Sequence, residues 1–202
     1  MNDTPRNLDS EKQETAVSDE QLMLAFSKGS TEAFTELFAR YKQPLFGFFR
    51  RRVAYPAHAE ELTQETFLAV VRAASRYQPR ALFRTYLYAI GFKILRVYRR
   101  KAAFRATFQG AQAASEPAVK TTTDAEVSLR HAIGKLERMD REILLLREFE
   151  ELSYMEIAEL LNLPVNTVRS RLFRARMALR ELLTAPAIKP LGQPLTEFEE
   201  RV

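Results

Sequence analysis

Cysteine is absent from this 202-residue chain. That excludes disulfides and thiolate metal sites, and it makes a reducing cytoplasm the natural home. Histidine is scarce: His58 and His131 stand alone, read as surface or core residues, and support no metal cluster. No apolar run approaches the roughly 20 residues of a membrane-spanning helix. The opening MNDTPRNLDSEKQET is polar and acidic where a signal peptide is basic and then apolar. Strand-like alternation and internal repeats are missing as well. The most informative absence is local: from Thr66 to Ser115 there is no Asp or Glu.

Those fifty residues instead hold ten Arg and Lys, interleaved with nine Phe and Tyr. Cations track phosphates and aromatic faces accept unstacked bases, so the mixture suits single-stranded or melted nucleic acid. Phe67, Tyr88 and Phe92 read as core, whereas the loop from Tyr77 to Phe83 and the start of the following helix read as nucleic-acid facing. The whole chain carries a net charge of +5 with 46% hydrophobic residues, enough apolar content for real cores.

Periodicity is helical throughout, and the fold class is all-α: two small helical domains joined by a flexible linker, the second a helix-turn-helix. Residues 1–17 read as a disordered tail. The first domain spans 18–105. Ser18 to Gln21 forms a capping box for a helix that Gly29 ends, and Thr31 is expected to cap the next, with Pro44 kinking or splitting it before Leu45–Val53. Further helices are expected over about 57–77 and 83–101. Residues 106–123 read as a linker, 124–183 as the second domain, and 184–202 as a proline-rich acidic tail. In the second domain Ser153 and Glu156 have capping-box spacing, and Asn162-Leu-Pro164 interrupts the helix they start. Asn166 is expected to cap a last helix in which Val165, Val168, Leu172, Ala175 and Leu179 form an apolar stripe. Five arginines occupy that helix. A capped helix, a tight turn and a basic helix fit a reader of the DNA major groove; an ordinary hairpin with a solvated basic face is the alternative.

Two segments together carry a family resemblance. AEELTQETFLAVVRAASRY with FRTYLYAIGFKILRVYRRK resembles region two of the extracytoplasmic-function sigma factors of bacterial RNA polymerase. LERMDREILLLREFEELSYMEIAELLNLPVNTVRSRLFRARMALREL resembles their region four. The resemblance covers about residues 18–183. It implies a chain that directs core polymerase to promoters, opens the minus-ten element and reads the minus-thirty-five element. It is no enzyme and calls for no cofactor, metal or catalytic group. The implied partners are core polymerase (the β′ clamp helices and the β flap), promoter DNA and, as a candidate regulator, an anti-sigma factor, without membrane insertion. Matched position by position, Glu61, Leu62, Gln64 and Glu65 fall on the polymerase-contact segment. Tyr77, Arg80, Phe83, Arg84, Tyr86 and Lys93 fall on the minus-ten segment. In the recognition helix Arg169, Ser170, Phe173 and Arg174 fall near base edges, and Asn166, Thr167, Arg171 and Arg176 are expected to hold phosphates.

The residues agree independently with part of this. Glu61 and Glu65 are like charges at i, i+4, which disfavours an isolated helix and suits a basic partner surface. The departures from the family are Tyr86 for Trp, Lys93 for Asn, no Asp near Val97, Leu136-Glu137 for Leu-Pro, and Glu151 for Gly just before the helix-turn-helix. Two rival functions remain to be weighed. A dimeric helix-turn-helix regulator leaves the acid-free first half without a role. A nuclease built on Glu60, Glu61 and Glu65 finds no further His or Asp cluster.

Overall fold

The computed structural model describes residues 17–109 and 124–184. Its described part holds helices α1 (Asp19–Ser27), α2 (Thr31–Arg50), α3 (Pro56–Ala73), α4 (Phe83–Gln109), α5 (Asp124–Lys135), α6 (Arg138–Glu148), α7 (Tyr154–Leu161) and α8 (Val165–Thr184), with a 3-10 turn at Ala74–Arg76 after α3. No strand occurs among these residues. The expected N-terminal tail falls in 1–17 and the acidic tail in 184–202; of these, residues 1–16 and 185–202 lie outside the described residues, as do 110–123 of the expected linker.

Local chemistry starts and stops the helices. Ser18 and Gln21 form the reciprocal capping box of α1, and Gly29 (φ +107°) adopts the left-handed conformation just beyond its end. Ser30, not Thr31, caps α2: its hydroxyl accepts from the Ala33 amide at 3.2 Å, while the Thr31 hydroxyl turns to Glu32. Pro44 does not split α2, which runs unbroken through it. An interior proline costs about 3 kcal/mol, but Leu37, Leu45, Phe48 and Phe49 of the same helix are all fully buried. At about 1.5–3 kcal/mol each, their burial outweighs the lost hydrogen bond. Helix α4 continues two turns past the expected end at Lys101, and its first amide, Phe83, donates to the Glu20 carboxylate of α1 at 2.6 Å.

Helices α1 to α4 pack into an N-terminal bundle around Met23, Leu37, Phe48, Leu62, Leu87 and Leu95. The buried Thr63 and Thr66 hydroxyls satisfy themselves on carbonyls one turn back, at 2.7 Å each. In the C-terminal bundle α8 is the hub, packed on α5, α6 and α7. Its stripe behaves as read from the sequence: Val168, Leu172 and Ala175 are buried, Val165 and Leu179 half-buried. Asn162 ends α7 in the left-handed conformation (φ +54°) and Pro164 immediately precedes α8. Asn166 is therefore the second residue inside α8, exposed, and not its cap.

The two bundles touch. Helix α4 lies against α7, and ion pairs from Arg51 and Arg52, just past the end of α2, and from Arg84 and Arg99 of α4 reach Glu142, Glu150 and Glu156.

Candidate nucleic-acid and polymerase interfaces

Three surfaces take shape from these elements. On α3, Glu61, Gln64 and Glu65 are exposed along one side, whereas Leu62 is 2% exposed and belongs to the core. The expectation that Leu62 touches polymerase is corrected on this ground: its side chain points the other way from Glu61 and Glu65. Leu68 and Val71 stand exposed instead, at 52% and 40%. With Glu61, Gln64 and Glu65 they make a mixed acidic and apolar face on α3. The run TFLAVV carried the signal, because more apolar residues occur there than one buried face can use.

The second surface is the loop after α3 and the first turns of α4. Arg80 and Lys93 are exposed, and Arg84 and Tyr86 half-buried. Tyr77 and Phe83 are not at the surface, with exposures of 8% and 1%. The two rings meet edge-on, Tyr77 also packs edge-on against Tyr86 at 5.2 Å, and Phe83 packs on Tyr41. Burial pushes the Tyr77 hydroxyl up to about 12, and that hydroxyl has no hydrogen-bond partner. Tyr77 and Phe83 thus form the floor on which the loop rests, because two large rings at its ends bury more area inward than a bare loop could. Among the aromatics of this segment, Tyr86 keeps the access that a stacking group needs.

The third surface is α8. Arg169 is exposed and makes no ion pair among the described residues; Phe173 is 63% exposed and Arg174 lies in the open, 3.9 Å from Asp140. The Ser170 hydroxyl donates to the Thr167 carbonyl at 3.1 Å. Arg171 and Arg176 differ from this group. Arg171 donates to Glu137 and Asp140, both at 2.8 Å, and Arg176 to Glu148 at 2.6 Å. Both guanidinium groups are held above their ordinary pKa, chiefly by Asp140 and by Glu148. Carboxylates of α6 and its cap occupy both groups in the DNA-free chain, so a phosphate contact at either would compete with an ion pair inside the bundle. Glu137, which stands where the family has Pro, caps α6 by accepting from the Met139 and Asp140 amides at 3.0 and 3.2 Å. The same carboxylate receives Arg171, so one residue fixes the start of α6 against α8. Met155 on α7, 74% exposed, is an apolar surface residue that the sequence reading passed over.

Outside these surfaces, His58 shares a 2.8 Å hydrogen bond with Tyr98. The described residues contain no group of His, Asp and Glu able to hold a metal, and no described helix is long and apolar enough to cross a membrane.

Comparison with known proteins matches this layout. Residues 37–104 match the Sigma-70 region 2 family and residues 126–179 the Sigma-70, region 4 family. The RNA polymerase sigma factor CarQ of Myxococcus xanthus is 33% identical over 165 residues, covering 80% of this chain and 95% of that protein. The ECF RNA polymerase sigma factor SigW of Bacillus subtilis is 30% identical over 174 residues, covering 77% of this chain and 91% of that protein. The solved structure of CnrH in complex with the cytosolic domain of CnrY superimposes with a TM-score of 0.63 at 29% identity, covering 82% of this chain and 96% of that one. An all-α chain with an acidic helix face, an aromatic and cationic middle, and a helix-turn-helix ending in a basic helix belongs to the extracytoplasmic-function sigma factors, the RNA polymerase subunits that recognise promoters and start transcription.

Proposed function

We propose that the three surfaces divide the work of initiation. The α3 face of Glu61, Gln64, Glu65, Leu68 and Val71 docks on core polymerase. Arg80, Arg84, Tyr86 and Lys93 hold the opened minus-ten strand, with Tyr77 and Phe83 supporting them from below. Helix α8 enters the major groove at the minus-thirty-five element, with Arg169, Ser170, Phe173 and Arg174 toward the bases and Asn166 and Thr167 toward the backbone. The chain performs no catalysis of its own, works in the cytoplasm, and is open to control by an anti-sigma partner; the similar CnrH is seen in complex with the cytosolic domain of CnrY.

The observation that carries this reading is the sorting of the α8 arginines. Arg169 makes no ion pair among the described residues and Arg174 only a long one, 3.9 Å from Asp140, while Arg171 and Arg176 are tied closely to acids of the same bundle. A helix with only a solvated basic face has no reason to separate its charges in this way. A bidentate arginine–base contact is worth about 1–3 kcal/mol of discrimination. Arg169→Ala should therefore flatten the preference at one or two base pairs of the minus-thirty-five element. Arg171→Ala should leave the preference intact, weaken all sequences alike and lower thermal stability, because it frees Glu137 and Asp140. A transcription series over minus-thirty-five variants with both substitutions checks this. A changed base preference in Arg171→Ala alone would reverse the assignment.

A further inference from the structure

We propose that Glu20, in the first turn of α1, is a positioning residue for minus-ten selection: it fixes where the loop after α3 stops and α4 starts, and so where Arg84 and Tyr86 stand. The sequence shows why such help is needed. A helix start leaves amides without intrahelical partners, and Ser, Thr, Asp or Asn just before it usually accepts from them. Before α4 stand Pro79, Arg80, Ala81 and Leu82, and no Asp or Glu occurs from Thr66 to Ser115. The acceptor comes from 63 residues away: Glu20 Oε1 accepts from the Phe83 amide at 2.6 Å, short as bonds to a charged acceptor are. A first-turn acid ordinarily serves the dipole of its own helix. Here the Ser18 and Gln21 box already closes the start of α1, and among the described residues the hydrogen bond of Glu20 crosses to α4.

Helix α1 holds the same point a second time. Asp19 accepts from the Tyr41 hydroxyl, and the Tyr41 ring packs edge-on against Phe83 with centroids 5.3 Å apart. Helix α1 also packs on the 3-10 turn at Ala74–Arg76, the other end of the loop. Between these ends residues 78–82 are all exposed. Their hydrogen bonds, among the described residues, stay local: the Arg80 amide and guanidinium both donate to Gln78, and the Leu82 carbonyl accepts from the Tyr86 amide. A loop without an anchor of its own takes its shape from its ends. Arg84 and Tyr86 lie within one helical turn of the amide that Glu20 holds.

The charge of Glu20 has a further effect. A free helix N-terminus attracts phosphate, and α4 starts inside the segment assigned to the opened strand. Glu20 occupies the Phe83 amide and sets a negative charge beside it, so a strand phosphate is turned away from the helix end and toward Arg80 and Arg84. The register of the strand is then set by those cations and the Tyr86 ring. Removing Glu20 costs discrimination between bases more than it costs affinity. A carboxylate that only stabilised the fold would act the other way, weakening every strand alike.

This role rests on the minus-ten reading above, and two measurements keep the two apart. In the free chain, hydrogen exchange at the Phe83 amide, read by NMR, should speed up about tenfold in Glu20→Ala and stay near the parent in Glu20→Gln, which keeps an acceptor oxygen. Holoenzyme assembled from core polymerase and the full chain is then offered single strands randomised across the minus-ten element, and the bound strands are sequenced. Glu20→Ala should lower the enrichment of the preferred base at one or two positions by about fivefold, the low end for one stacked base. The amount of strand bound should hold or rise, and Glu20→Gln should restore the preference. If Glu20→Ala loses helical circular dichroism, Glu20→Asp carries the comparison, because its carboxylate is one methylene short of the amide and should weaken the preference too. An unchanged preference, an even loss of all strands, or Phe83 exchange that does not respond overturns the positioning role. A parent holoenzyme that enriches no strand, with Phe83 exchange responding as described, would sink the minus-ten reading and the selection role with it, while the cap of α4 by Glu20 would stand.

Discussion

Glu151 sits at φ +55°, a conformation that costs a side-chain-bearing residue roughly 1–2 kcal/mol relative to glycine. The family resemblance places glycine there, and the structure supplies the physical reason: the chain must turn sharply between α6 and α7. Glu151 is exposed, and no hydrogen bond or ion pair of its side chain is seen among the described residues. Glu151→Gly should therefore raise the thermal midpoint by a few degrees, read by circular dichroism, with promoter preference unchanged. A lower midpoint would mean that Glu151 makes an interaction stronger than its backbone strain. Glu137 is the opposite kind of departure, because its carboxylate caps α6 and holds Arg171. Both departures were legible as departures in the sequence. Only the backbone angle and the hydrogen bonds separate a strained substitution from a compensated one.

At the scale of elements, helix positions and apolar stripes were readable because burial repeats every three to four residues. The errors fell where two neighbours compete for one role. Ser30 and Thr31 are both good caps, and which one turns out of the helix is settled by packing of the whole α1–α2 corner. Leu62 and Leu68 are both leucines of α3, yet one is core and the other surface, since the width of the buried face depends on α2 and α4. The aromatics after α3 show the same limit. Tyr77→Phe removes a buried hydroxyl that has no partner, and leaving such a group unsatisfied costs about 1–3 kcal/mol. That variant should be more stable and should open promoters normally. Tyr86→Ala should instead slow open-complex formation on duplex DNA, with a pre-melted bubble rescuing much of the loss. Equal loss on duplex and bubble templates would make Tyr86 structural. Slow opening by Tyr77→Phe would give its hydroxyl a role that the structure does not show.

At the scale of the whole molecule, the contact between the bundles had no sequence signal at all. Arg52 lies 90 and 98 residues before its partners Glu142 and Glu150, and no periodicity links them. Their chemistry gives the contact between the bundles a pH dependence. Burial opposes the charged form of Glu142, but Arg52 and Arg99 outweigh it and hold that carboxyl below the ordinary carboxylate range. Burial likewise opposes ionised Glu156, and hydrogen bonds from Thr85 and Ser153 with the charge of Arg84 overcome it. A carboxyl lowered in this contact stabilises the contact above its ordinary pKa, and the contribution is lost as pH falls through the lowered value. With one fluorophore on each bundle, at Gln43→Cys and Lys135→Cys, both exposed positions, energy transfer should accordingly stay constant from pH 8 to about 5 and fall in more acid solution, before helical content is lost. A fall in energy transfer on raising the pH toward 8 would contradict the ionic assignment. The basic middle, the exposed Arg169 and Arg174 of α8 and the acidic face of α3 make one molecule only if they act on the same promoter through polymerase. The most direct measurement is run-off transcription by purified core polymerase on genomic DNA, with start sites mapped with and without this chain. Discrete new starts should appear, share a common pair of upstream elements, and vanish with Glu61→Lys/Glu65→Lys while that variant's helical spectrum stays intact. Binding of the chain alone to a palindromic duplex site, with no new start sites, would contradict it and return the protein to the ordinary helix-turn-helix regulators.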